Sequence, residues 1–140
     1  MIFDVVFPRG TRLPSNGEPP VTVMRAYSPA HNIGHFRYLE ASQVLEDGRP
    51  SGDITLWDEI RFPFDPAIAG GPLENVPVVR SSTATGFVEE IYTCDATGAV
   101  NVAIRNLPAN YEREYRLSRW TGKTAAIRPS GAKRVRKASS

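Results

Sequence analysis

The chain has 140 residues, a length that fits one domain with its own hydrophobic core. Its 12 prolines and 11 glycines are spread along the sequence and argue against long helices, because both residues interrupt a helix. The single cysteine, Cys94, excludes an intramolecular disulfide, and the first residues lack the basic and apolar stretches of a signal peptide or a membrane span. We therefore expect a cytoplasmic protein with no membrane segment.

The formal net charge of +2 is unevenly distributed along the chain. Residues 123–140 contain six Lys or Arg side chains and no acidic one, so the rest of the chain has a net charge of about −4. A nucleic-acid or other anionic partner would have to bind through this basic segment. A solvated terminus without a partner is the simpler interpretation, and we do not expect nucleic-acid binding.

The first half of the chain predicts four strands. Each is a short run that is rich in β-branched and aromatic residues, or that alternates at period two, and most are bounded by Pro, Gly, Asn or Asp. They cover residues 3–7, 21–27, 35–39 and 53–62. Between the last two, residues 43–50 form a polar connection with the turn pair Asp47-Gly48.

The second half predicts a long irregular connection and three more strands. Residues 64–86 are rich in Pro, Gly, Ser and Thr and hold at most one short strand, at 76–80. Strands at 87–94 and 99–105 flank Asp95-Ala96-Thr97-Gly98, a tight turn centred on Ala96-Thr97 with Gly98 at positive φ. Residues 111–120 alternate again and form the last strand.

These elements predict an all-β fold, an antiparallel β-sandwich of about seven or eight short strands in residues 1–120. Residues 121–140 have no apolar periodicity and are predicted to be a disordered basic tail.

No combination of residues in the sequence is typical of catalysis or of metal or cofactor binding. His31 and His35 span a loop and a strand start, without a nearby carboxylate or thiol to complete a metal site. Glu89 and Glu90 lie on opposite faces of a strand, a poor arrangement for acid–base chemistry, and Cys94 fits a buried apolar position. We predict that the protein is not an enzyme and has no cofactor.

A β-sandwich without catalytic residues generally works through its loops, its edges or a groove between them. Five apolar residues near strand ends are the candidates for such a groove: Val23, Ala26, Ile33, Phe36 and Val88. The alternative interpretation is that all five belong to the core.

Two motifs in the expected order resemble one known β-sandwich. Phe7-Pro8-Arg9-Gly10-Thr11-Arg12-Leu13-Pro14-Ser15 is similar to a "basic, small, Thr, x, aliphatic, Pro, Ser/Thr" segment, and residues 88–102 to an "Ile-Glu-Val-x-Phe-x-Ile-Asp-x-x-Gly-Ile-Leu-x-Val" hairpin. Residues 21–27, 33–42, 52–60 and 111–117 fall on further strands of the same domain. The resemblance covers residues 3–120 and is to the substrate-binding domain of the seventy-kilodalton heat-shock chaperones of the DnaK type.

The resemblance implies binding of short extended apolar peptides, or of unfolded polypeptide, through main-chain hydrogen bonds and an apolar pocket. It implies that Val23 lines the pocket and that Ala26 forms half of an arch over the peptide. It further implies contributions from Ile33 (or Gly34) and Phe36 in the family's fourth strand, and from Val88 in its sixth.

The resemblance also implies what this chain has to obtain elsewhere. The family's ATPase domain and helical lid have no counterpart here, so a separate nucleotide-binding chaperone chain is a possible partner. The family's first strand has none either, so we expect residues 3–7 to form an open edge that recruits a second copy, a client peptide or another chain. Two alternatives remain: a structural or adaptor sandwich that has lost peptide binding, and a binder of anionic partners through the basic tail.

Overall fold

The computed structural model describes residues 2–80 and 87–130, in which eight strands form two antiparallel four-stranded sheets. In chain order the strands are β1 (Ile2–Phe7), β2 (Val21–Tyr27), β3 (Ile33–Val44), β4 (Pro50–Pro63), β5 (Val88–Cys94), β6 (Ala99–Asn106), β7 (Tyr111–Arg119) and β8 (Ala125–Ser130). Sheet A has the spatial order β1-β8-β3-β4 and sheet B the order β2-β5-β6-β7. The helical content of the described residues is one 3₁₀ turn, Pro66–Ile68. The prediction of an all-β sandwich with seven or eight strands is confirmed. None of the helical segments described is long and apolar enough to cross a membrane.

The main core lies between the two sheets and follows from the alternation of side chains along each strand. In β5 every second residue is buried, starting at Val88, and in β6 Val102 and Ile104 face the same interior. Phe7 stacks on Trp120 with ring centroids 5.1 Å apart, which joins the end of β1 to the end of β7. A second, smaller apolar cluster lies on sheet A and contains Leu39, Ala41, Ala125 and Ile127.

The predicted hairpin turn is confirmed in detail. The N–H of Gly98 donates to the carbonyl of Asp95 at 2.9 Å, and Gly98 has φ +85°. The Asp95 carboxylate accepts hydrogen bonds from the N–H groups of Thr97 and Ala99 and from the Thr97 hydroxyl, which holds the turn closed.

Two segments differ from the sequence-based expectation. The sequence predicts a polar connection at residues 43–50, but the pairing of β3 with β4 continues to Val44 opposite Pro50. The two strands therefore form one long hairpin that turns at Asp47-Gly48. At residues 76–80 no strand forms; an isolated antiparallel bridge joins Arg80 to His31 instead.

The prediction of a disordered tail from Thr121 is wrong for residues 125–130. These residues form β8, which lies between β1 and β3 in the interior of sheet A. Small and apolar side chains, Ala125, Ala126 and Ile127, fit this central position, and the charge of Arg128 is compensated inside the sandwich. The part of the predicted tail at residues 131–140 lies outside the described residues.

The expectation that β1 lacks its strand partner is also wrong, because β8 of the same chain pairs with it. Val5 lies opposite Ile127 and Asp4 opposite Arg128. The other side of β1 faces no strand within sheet A as described. Arg25, on β2 of the other sheet, donates to the Val5 carbonyl and to the Asp4 carboxylate. The hydrogen bond with Asp4 raises the pKa of Arg25 despite partial burial. Association through this edge stays a prediction.

Candidate functional site

The connection between β2 and β3 is organised by one buried asparagine, Asn32, which is 8% exposed. Its N–H donates to the carbonyl of Val79 at 3.1 Å, and its carbonyl accepts from the N–H groups of Phe64 and Asp65, both at 2.9 Å. Its side-chain Nδ2 donates to the carbonyl of Pro77 at 3.0 Å, and its Oδ1 accepts from the N–H of Val79 at 2.9 Å. Backbone and amide groups of a single residue therefore bind two separate stretches of the β4–β5 connection.

The second of these stretches is residues 77–80, Pro-Val-Val-Arg, which we call the strap. Three hydrogen bonds bind it to Asn32: Asn32 donates to the carbonyls of Pro77 and Val79, and the Val79 N–H donates to Asn32. The bridge between Arg80 and His31 makes it antiparallel to the chain at residues 31–32. Val78 and Val79 are 55% and 50% exposed. The strap is therefore bound mainly through its main chain, with its apolar side chains half open to solvent.

The first stretch, residues 64–65, contributes the aromatic side chain of Phe64 next to Asn32. The Phe64 ring is buried and meets the rings of Tyr27 on β2 and Phe36 on β3 edge-on, with centroid distances of 6.2 Å to each. A Cβ atom at Gly34 would lie 2.6 Å from this ring, so the close packing requires glycine there. Phe64 thus fills the space between β2 and β3 where the sequence predicted an apolar pocket.

The structure brings three of the five predicted groove residues into one cluster. Phe36 and Val88 are buried in the main core, and Val23 is partly buried against it. Ala26 is an odd number of residues from Val23, so it lies on the opposite face of β2, and Ile33 is likewise on the opposite face of β3 from Phe36. The core placement that the sequence left open holds for Phe36 and Val88, whereas Ile33 is buried on the other face of β3. The contact of all five residues with a peptide stays a prediction.

Below the aromatic residues, a buried polar cluster links the two sheets. Its centre is the carboxylate of Glu90 on β5. This carboxylate accepts hydrogen bonds from Arg128 Nε at 2.9 Å and Nη2 at 3.3 Å, and from the hydroxyls of Tyr27 and Tyr92. Glu90 is 0% and Arg128 1% exposed. The hydroxyl oxygens of Tyr38 and Tyr92 lie 3.1 Å apart and extend the cluster to β3.

The protonation states of this cluster follow from burial and from the central carboxylate. Burial, followed by the charge of Glu90, raises the pKa of Tyr27 and of Tyr92 well above the ordinary value. Burial acts to lower the pKa of Arg128, but Glu90 and the surrounding tyrosines outweigh it, and that pKa lies well above its usual range. The cluster is therefore an ion pair with neutral phenols around it. Glu90 and Arg128 are closed to solvent, whereas Tyr27 is only partly buried.

An open groove of about 510 Å³ lies at the other end of the sandwich, beside the β3–β4 hairpin. It is lined by Val5, Pro8, Arg9, Ser42, Gln43, Val44, Leu45 and Ala125. The side chain of Arg9 crosses it, and Nη1 donates to the Ser42 carbonyl at 3.1 Å. Mostly apolar walls and one arginine fit contact with another protein better than chemistry on a small substrate. Over the part of the chain that the structure describes, no group of three or more His, Cys, Asp or Glu side chains could hold a metal ion.

Sequence reasoning missed Asn32 and the pairing of Glu90 with Arg128. A signal for Glu90 was present, because adjacent glutamates in a two-sided strand place one carboxylate toward the core, where it needs a cation. Asn32 had only the weak signal of an asparagine just before a strand, and its partners are 45 and 47 residues away.

No family model, curated protein or solved structure matches this chain.

Proposed function

We propose that the domain binds extended apolar peptide segments, including exposed segments of unfolded polypeptides, alongside the β2–β3 connection at Asn32. The observation that carries the proposal is the way Asn32 uses its N–H, Nδ2 and Oδ1 on the main chain of an extended segment. Recognition through main-chain groups tolerates many side chains, which is what a binder of diverse unfolded segments requires.

The geometry also indicates how strong such binding is. Each hydrogen bond adds a net of about 0.5–1.5 kcal/mol. The Val78 and Val79 side chains stay half exposed, so burial of apolar surface adds only part of its full value. Weak and fast binding is therefore expected from this site alone, as suits a substrate-binding domain whose release is controlled by a separate nucleotide-binding chain.

We place the domain among binding proteins and not among enzymes, because its buried titratable cluster is closed to solvent at Glu90 and Arg128. A cytoplasmic location is part of the proposal, and a sequence with one cysteine and no disulfide supports it. A role in protein folding under stress follows from the class of ligand.

The proposal is tested by fluorescence anisotropy with a labelled leucine-rich heptapeptide. Asn32→Ala removes both side-chain hydrogen bonds and should weaken binding by about tenfold, the equivalent of roughly 1–2 kcal/mol. The matched control is Asn75→Ala, an exposed asparagine of the same connection with no side-chain bond to a described residue. Circular dichroism shows that both variants are folded.

Equal affinity with and without Asn32→Ala, both in wild type and in a chain whose residues Pro77–Arg80 are replaced by Gly and Ser so that the peptide alone contacts Asn32, would contradict the proposed site. A steep loss of affinity with salt would favour the anionic-partner alternative, since that binding releases counterions. No binding by any folded variant would leave the adaptor alternative, for which the groove beside the β3–β4 hairpin is the available surface.

A further inference from the structure

We propose that the strap is an internal ligand of the Asn32 site and that an external peptide binds by displacing it; the inference rests on the proposed function above. The strap is the sequence Pro-Val-Val-Arg, extended and antiparallel to residues 31–32. It satisfies the same polar groups of Asn32 that would bind a peptide. Peptide and strap therefore cannot occupy the site together.

The strap defines the class of ligand by the groups it uses. Its first residue, Pro77, contributes only a carbonyl, so the missing N–H of proline does not matter there. Its third residue, Val79, contributes both N–H and carbonyl, so proline is excluded at that position. The ligand is thus an extended apolar segment in which proline is tolerated at the first position and excluded at the third.

The strap is held weakly enough to leave its site. Val78 and Val79 are half exposed, so few buried apolar contacts oppose local opening. On the N-terminal side of the strap, the connection is also anchored by Phe64 and Leu73, whose side chains are buried. The strap can therefore detach while the connection stays attached to the sandwich.

A covalently linked segment competes strongly even when each contact is weak. Short flexible tethers give effective concentrations in the millimolar range. The apparent affinity for an external peptide falls by the fraction of molecules in which the site is open. A strap that is docked in about 90–99% of molecules would weaken external binding by about 10–100-fold.

The test replaces the strap at constant length by Pro77→Gly, Val78→Ser, Val79→Gly and Arg80→Ser in the full chain. The probe is a fluorescein-labelled peptide with the sequence of residues 76–80, Val-Pro-Val-Val-Arg. We expect the replaced protein to bind it at least about tenfold more tightly than wild type does. Two further probes carry an N-methyl group at the residue equivalent to Val79 or to Val78; the first should lose binding and the second should keep it, since no described residue accepts from the Val78 N–H.

The outcomes separate the inference from the function on which it rests. Tighter binding by the replaced protein, with the effect of N-methylation confined to the Val79 position, supports the internal ligand. Equal binding of the probe and of the leucine-rich heptapeptide by both proteins overturns the inference and leaves the proposed function standing. Binding by neither protein overturns both. Urea unfolding midpoints show whether the replaced protein keeps the stability of the sandwich.

Discussion

Arg128 Nε lies 2.9 Å from Glu90 Oε1, and the two side chains form an ion pair across the interior between β8 and β5. The guanidinium also lies over the Phe36 ring, with its central carbon 5.3 Å from the ring centroid. A residue from the most basic part of the sequence is thus the cation that the buried Glu90 requires. The pair fixes which face of β8 points inward, because Arg128 and Ala126 share one side of the strand and Ile127 takes the other.

Removing one member of this pair should destabilise the protein strongly. Arg128→Met leaves the carboxylate of Glu90 buried without its cation, and Glu90→Gln leaves the guanidinium without its anion. Each single change is expected to cost about 3–5 kcal/mol, and the double variant clearly less than the sum of the two. Urea unfolding followed by circular dichroism measures the three free energies.

The control for this cycle is Arg12→Met, which breaks the ion pair between Arg12 and Glu18. Both of these side chains are exposed to solvent, so this pair is expected to add little to stability. The free energy of unfolding of this variant should match that of wild type within error. Additive costs in the Glu90–Arg128 cycle, or single variants as stable as wild type, would show that the ion pair does not contribute to stability.

Truncation should show that β8 is essential to the fold. A chain ending at Thr124 loses the strand between β1 and β3, and with it the hydrogen bonds on both sides and the cation for Glu90. We expect no cooperative urea transition from this chain, whereas a chain ending at Ser130 keeps all eight described strands and should fold. Tryptophan fluorescence follows both, because Trp120 is buried against Phe7. A folded chain ending at Thr124 with the stability of the full chain would contradict the placement of β8.

Seven of the eight strands could be predicted from a short window of sequence, because their residues either alternate at period two or form a run rich in β-branched and aromatic residues. β8 could not, since Ala-Ala-Ile-Arg-Pro-Ser has small residues, a charge and a proline in place of alternation. Its stability depends on β1, which lies near the other end of the chain, and on Glu90. A local pattern contains neither of these partners.

The candidate site was predictable only in part for the same reason. Alternation determines that Val23 faces inward and Ala26 outward on β2, and it places Phe36 toward the interior. It does not show that Phe64 occupies the space beside Gly34, nor that the strap returns to Asn32. Irregular connections carry no period, so the contacts they make appear only in three dimensions.

The turn glycine Gly98 should be far less replaceable than Gly17, which has nearly the same φ. Gly98 and Gly17 have φ of +85° and +87°, so alanine is strained at both by about 1–2 kcal/mol. A Cβ at Gly98 would also lie 2.2 Å from the carbonyl oxygen of Trp120, whereas nothing lies within 4 Å at Gly17. We expect Gly98→Ala to lower the melting temperature by several degrees more than Gly17→Ala. Equal shifts in thermal unfolding would mean that the strand ends at Gly98 and Trp120 move apart at little cost.

The buried phenols should make the protein sensitive to alkaline pH. Burial, and then the charge of Glu90, raises the pKa of Tyr27 and of Tyr92 well above 10.0, the ordinary value. Burial also raises the pKa of Tyr38. The folded protein therefore retains protons that the unfolded chain releases above about pH 10, so these tyrosines stabilise the fold fully below that pH and progressively less as the pH rises.

Each such tyrosine should contribute a slope of up to about 1.4 kcal/mol per pH unit in this range. Urea unfolding at several values between about pH 8 and about pH 11 measures the slope, and the 295 nm absorbance of tyrosinate reports ionisation directly. Tyr92→Phe removes one titrating phenol. It should therefore reduce the pH dependence of the free energy of unfolding by up to about 1.4 kcal/mol per pH unit, while the protein stays folded at neutral pH. Tyr38 and Tyr92 are buried in the folded state, so their absorbance should rise together with the loss of structure. Ionisation of all five tyrosines in a protein that keeps its native circular dichroism would show that the Glu90 cluster opens to solvent without unfolding.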